Sequence, residues 1–180
     1  ALVNIDPSSA SENPLYLEIS KYGDGNATIN ANRTDSNTGR VMYIGEKANV
    51  TLQNLILTGG YLVNTDSAAA NNGAGLYILN NTAAVTIKNC EIKENTIDNG
   101  CGAGIFVANN NGTLKLIIEN SKISSNTINH NDGVAEYYGA GIAIENVGAN
   151  ITIKDSEITG NKINQDRIAN TNPGDKGVGL

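Results

Sequence analysis

Apolar residues along this chain alternate with polar ones in short bursts, and the bursts themselves recur. Leu76 and Ile78 share one face of a first burst with Ala74, and the pattern returns as Ala103, Ile105, Val107 and as Ala140, Ile142, Ile144. A second burst sets Val85 with Ile87, Leu116 with Ile118 and Ile151 with Ile153. A third sets Ile92 with Ile97, Ile123 with Ile128 and Ile158 with Ile163. Period-two alternation over so few residues predicts strands with one buried face. Abundant β-branched residues, Asn and Gly oppose a helical reading. Three short strands per repeat predict a three-sided parallel coil, in which each turn buries its apolar face only by stacking on its neighbours.

Each repeat opens on a glycine triplet: Gly73-Ala74-Gly75, Gly102-Ala103-Gly104 and Gly139-Ala140-Gly141. A further copy, Gly177-Val178-Gly179-Leu180, reads as the first half of an incomplete last rung, and a divergent earlier repeat runs over residues 50–62. The triplets start 29, 37 and 38 residues apart, yet Asn89 to Asn95, Asn120 to Asn126 and Asp155 to Asn161 are each six apart. Length variation is therefore confined mainly to residues 63–72, 98–101, 129–138 and 164–176, which predicts loops along a single edge. Residues 1–23 lack the repeat and read as a lead-in or cap, with an alternating strand at Leu15–Ile19; residues 24–180 carry the coil. Stacking also predicts two charge columns of alternating sign, Lys88–Glu119–Lys154 and Glu91–Lys122–Glu157.

About one residue in six is Asn, 20 are Gly and none is Trp, a composition rich in turns and left-handed backbone. A net charge of −6 offers no basic footprint for nucleic acid. No apolar run approaches the roughly 20 residues of a membrane span. Cys90 and Cys101 either pair across a repeat junction or stay as two thiols; their spacing matches no zinc module. Asn26, Asn32, Asn49, Asn80, Asn111 and Asn150 begin Asn-x-Ser/Thr sequons that would accept glycans in a suitable host.

Two asparagine columns stand out: Asn54, Asn89, Asn120 and Asp155, then Asn95, Asn126 and Asn161. Asn tolerates left-handed backbone and stacked amides bond along an axis, so both columns are read as structural turn ladders. No rung gathers an Asp cluster, and Arg33, Arg40 and Arg167 lie in or beside loops, so no catalytic residue and no metal ligand set is assigned. Glu91 and Glu157 read as partners of Lys122, not as a hydrolytic pair. Only Thr51, Thr86 and Thr152 align as a threonine row, broken by Ile117, which argues against ice binding. The best candidate binding surface is the loop holding Asn129, Asn131, Asp132, Glu136, Tyr137 and Tyr138, whose oxygens suit Ca²⁺ and whose rings suit a sugar or a protein.

The Gly-Ala-Gly-Leu/Ile and Ile-x-x-Asn motifs (Ile92 to Asn95, Ile123 to Asn126, Ile158 to Asn161), preceded by Gly25-Asn-Ala-Thr-Ile29, resemble those of right-handed parallel β-helix proteins. The resemblance covers roughly residues 15–180 and is nearest to the polymorphic outer membrane protein and adhesin-like class. That class carries Gly-Gly-Ala-Ile and Phe-x-x-Asn instead. The resemblance implies an all-β, right-handed, single-stranded parallel β-helix of about four to six rungs. It also implies a non-enzymatic role outside the cell or on its surface, without a cofactor. Expected partners are a protein or glycan of a host or neighbouring cell, with self-association through the coil ends as a further expectation. A carbohydrate-active domain, a polysaccharide lyase or glycoside hydrolase, is the competing class, because the same coil carries both.

Overall fold

A computed structural model describes residues 1–7, 15–63, 72–79, 84–108, 113–130, 137–145, 148–165 and 179. The chain winds as a parallel coil. The first turn holds β1 (Val3–Ile5), β2 (Leu15–Ser20) and β3 (Ala27–Asn30), and the second holds β4 (Met42–Ile44), β5 (Ala48–Gln53), β6 (Leu55–Thr58) and β7 (Tyr61–Val63). The third holds β8 (Leu76–Leu79), β9 (Ala84–Lys88), β10 (Glu91–Lys93) and β11 (Thr96–Asp98). The fourth holds β12 (Ile105–Ala108), β13 (Lys115–Glu119), β14 (Lys122–Ser124) and β15 (Thr127–His130), and the fifth β16 (Ile142–Ile144), β17 (Asn150–Lys154), β18 (Glu157–Thr159) and β19 (Lys162–Gln165). Equivalent strands of successive turns line up into four sheets: A (β1-β4-β8-β12-β16), B (β2-β5-β9-β13-β17), C (β3-β6-β10-β14-β18) and D (β7-β11-β15-β19). Among the described residues no helix is long and apolar enough to cross a membrane.

Three expectations need correction. From the second turn on the coil has four strands per turn, not three, because a left-handed residue interrupts the third burst: Glu94 (φ 54°), Ser125 (φ 56°), and glycines at 59 and 160. The break reverses which side the next strand buries. Ile92 and Ile123 therefore stay in the main core, whereas Ile97 and Ile128 leave it for a second one. Residues 1–23 also do more than lead in, since β1 and β2 pair in register with β4 and β5 and make up most of the first turn.

Two cores follow. Sheets A, B and C enclose the larger, with Leu76, Ile78, Val85, Ile87, Ile92, Leu116, Ile118 and Ile123 all 0–1 % exposed. The second lies between sheet D and the outward side of sheet A, where Leu62, Ile97 and Ile128 meet Phe106, Ala143, Cys101 and Tyr137. Strand β12 is buried on both faces as a result. Ala74, Ala103 and Ala140 are fully buried but belong to this second core, not to the face of Leu76 and Ile78, because the chain bends at the triplet.

The triplet's composition has two separate causes. Its first glycine is left-handed (Gly102, φ 63°), a region that L side chains rarely enter. Its last glycine packs against the next rung: a Cβ on Gly104 would lie 2.4 Å from the Gly141 carbonyl oxygen. Gly75 and Gly141 are stacked in the same way, on Gly104 and Gly179.

Candidate functional site

The corner between sheets B and C is built from the first asparagine column. Asn54, Asn89, Asn120 and Asp155 all adopt left-handed backbone, with φ of 57°, 51°, 47° and 48°. Asn89 Nδ2 donates to Asn54 Oδ1 at 3.2 Å. The following column carries Cys90, Ser121 and Ser156, each turned back on its own strand: the Ser121 and Ser156 hydroxyls donate to the carbonyls of Glu119 and Lys154 at 2.8 Å. A polar groove of about 610 Å³ runs outside this corner, along Asn89, Glu91, Asn120, Lys122, Asp155 and Glu157.

The carboxylates of this groove are held by neighbours. Register places Glu91, Lys122 and Glu157 side by side, and likewise Lys88, Glu119 and Lys154. Lys122 Nζ lies 3.4 Å from Glu157 and Lys154 Nζ 3.8 Å from Glu119. Glu91 instead takes Lys93 of its own strand at 2.9 Å, a hydrogen bond that raises the Lys93 pKa. Asp155 lies 3.5 Å from Lys154.

The second asparagine column is of a different kind. Asn95 and Asn126 are 0 % exposed and line the interior beside the close-packed glycines. Asn126 Nδ2 donates to Ile92 O and Asn161 Oδ1, both at 3.0 Å, while its Oδ1 accepts from the backbone N–H and the amide of Asn95. Both donors and both acceptor positions of the amide are thereby used.

The junctions that differ most in length, from Val63 to Leu76, Asp98 to Ile105 and His130 to Ile142, leave sheet D and re-enter sheet A and so share one edge; the A-to-B junctions, from Leu79 to Ala84, Ala108 to Lys115 and Ile144 to Asn150, differ less. Of the candidate loop, Asn131, Asp132 and Glu136 lie outside the described residues, as do residues 64–71 and 166–178 of the neighbouring junctions. Asn129 sits on β15 in an outward ladder: Tyr61 Oη donates to Asp98 Oδ2 at 2.5 Å, Asn129 Nδ2 to Asp98 Oδ1 at 2.7 Å, and Asn164 Nδ2 to Asn129 Oδ1 at 2.9 Å. The bond to Asp98 pushes the Tyr61 pKa up to about 12. Tyr137 faces inward. It is 6 % exposed and packs edge-on to the buried His130 at 4.7 Å, inside the second core. Tyr138 is half-buried and donates to Glu145 Oε1 at 2.8 Å; burial, then that bond, raises its pKa.

Sequence reasoning missed the aromatic column that this edge borders. Tyr43 and Tyr77 stack at 5.4 Å, Phe106 follows at 5.4 Å, and the Arg40 guanidinium sits 4.9 Å over the Tyr77 ring while donating to Asn72 O at 3.1 Å. Apolar residues on both faces of one strand were its signal, since a strand with a wetted face alternates. Cys90 and Cys101 form no disulfide and are both buried, one in each core. Burial raises the Cys90 pKa. Among the described residues no group of three or more His, Cys, Asp or Glu is placed to hold a metal ion.

A family model described as a right-handed beta helix region matches residues 18–174. No curated protein and no solved structure matches the chain.

Proposed function

The chain belongs to the right-handed beta helix family, whose coil serves enzymes and passive scaffolds alike, and from that premise we propose a non-catalytic scaffold. In this reading the chain is an adhesin-like segment, outside the cell or on its surface, that holds its D-to-A junctions along one edge for contact with a protein or glycan of a host or neighbouring cell. One observation supports it above others: the carboxylates of the polar corner are engaged by lysines of their own or adjacent rungs. A glycosidase needs two carboxyls facing one bond across about 5–9.5 Å, one of them free to carry a proton. Glu91 and Glu157 are instead separated by the Lys122 row. The surface assignment rests on the Gly-Ala-Gly and Ile-x-x-Asn resemblance, and the shared edge gives loops of different lengths a common rigid base.

Two assays test this. Polygalacturonate, alginate and neutral glycans, incubated with the chain with and without Ca²⁺, should yield neither new reducing ends nor unsaturated products. Turnover that disappears in Glu91→Gln or Glu157→Gln would establish an enzyme. Cells or glycan-coated beads should be captured by the immobilised chain, and replacing residues 131–136 by a Gly-Ser linker should abolish capture; unchanged capture would refute the role given to that edge.

A further inference from the structure

A second surface lies away from the junction edge, on the outward face of sheet B. A groove of about 480 Å³ opens there, bordered by Tyr16 and Glu18 of β2, Asn49 and Thr51 of β5, and Ala84 and Thr86 of β9, a size usual for small-ligand clefts. Register sets Tyr16 beside Asn49, Glu18 beside Thr51, and Thr51 beside Thr86. Tyr16 is 77 % exposed, and among the described residues no other ring stacks on it. The small Ala84 lowers the floor where its backbone N–H donates to Asn49 Oδ1 at 2.8 Å. That bond fixes the amide plane and leaves the Asn49 Nδ2 hydrogens for a ligand.

We propose that this groove binds a neutral pyranose unit of a polysaccharide. A pyranose has an apolar C–H face and a rim of hydroxyls. The Tyr16 ring offers an amphipathic platform for the first. The Glu18 carboxylate, the Asn49 amide and the Thr51 and Thr86 hydroxyls supply acceptors and donors for the second, repeating at the roughly 4.8 Å spacing of neighbouring strands. Among the described residues no cation lines the groove, and Glu18 together with a net charge of −6 disfavours uronic acids. The site is independent of the junction edge.

Electrophoresis through gels containing xyloglucan, galactomannan, mixed-linkage β-glucan or polygalacturonate tests it. Retardation is expected in at least one neutral gel and not in polygalacturonate. Tyr16→Ala should weaken it about tenfold and Tyr16→Trp should preserve it. The melting temperature should not change, because the ring is exposed, so weakening cannot be ascribed to unfolding. The variant with residues 131–136 replaced should still be retarded, which separates this site from the edge. Absence of retardation in every neutral gel, retardation by polygalacturonate alone, full retention in Tyr16→Ala, or loss with the 131–136 replacement would each overturn the proposal.

Discussion

Asn95 and Asn126 bind each other twice inside the coil: the backbone N–H and the side-chain amide of Asn95 both donate to Asn126 Oδ1, at 3.1 and 3.0 Å. Asn126 passes the same pattern on to Asn161. Removing one member therefore leaves several partners unmet at once, each orphan costing about 1–3 kcal/mol.

Asn126→Ala should lower stability by roughly 3–5 kcal/mol, measured by urea denaturation. Asn126→Asp should be destabilised at neutral pH, because a buried carboxylate would face the Ile92 and Asn161 oxygens that now accept hydrogen bonds. Its folded-state pKa would be raised, so the part of the loss due to charge should return as pH falls from that raised value towards the unfolded value of about 4, and be fully restored below it. A pH-independent loss would show that the ladder tolerates the charge.

Gly104→Ala should cost roughly 2–3 kcal/mol, because the new Cβ would meet backbone oxygen at 2.4 Å and the Asn126 amide nitrogen at 2.8 Å. Gly23 is the control: it is left-handed (φ 83°) but a Cβ there meets nothing within 4 Å. Its alanine variant should lose only about 1 kcal/mol. Equal losses at both sites would remove the packing explanation of the triplet's last glycine.

Tyr61 gives the alkaline limit a specific group. Its folded pKa of about 12 lies above the ordinary value near 10, so the hydrogen bond to Asp98 contributes stability in full below pH 10. That contribution is lost as pH rises from 10 towards 12. Tyr61→Phe should be less stable at pH 8 and show a shallower decline above pH 10 in thermal melts. Tyr138, also raised, should contribute in the same direction.

Both thiols should resist a thiol reagent in the native protein and react on unfolding, since each is about 5 % exposed or less and burial holds the Cys90 proton. Fast native reaction of either would contradict the two-core packing.

The register of the coil and the left-handed B–C corner were legible in the sequence. Val85 and Ile87 alternate without interruption, and Asn recurs where the φ angle is positive. The fourth strand was not legible, because the residue that breaks the third burst is Glu94, Ser125 or a glycine, with no side-chain type in common. One such residue reverses the facing of Ile97, which alternation alone assigns to the main core. The same reversal concealed the burial of Tyr137 and His130. Of the candidate surface, Asn129 and Tyr138 could be placed on the edge from spacing, but their bonds to Asp98 and Glu145 depend on neighbouring rungs and on the chain's return into sheet A.

The two charge columns make the coil sensitive to the parity of its turns. Lys88, Glu119 and Lys154 alternate along one column while Glu91, Lys122 and Glu157 alternate in antiphase along the next. Duplicating a single rung would set lysine over lysine in one column and glutamate over glutamate in the other, whereas duplicating two adjacent rungs would keep both sequences of sign intact. Each mismatch costs only a fraction of a kcal/mol, but it recurs in both columns, so a coil of this kind lengthens most smoothly by even numbers.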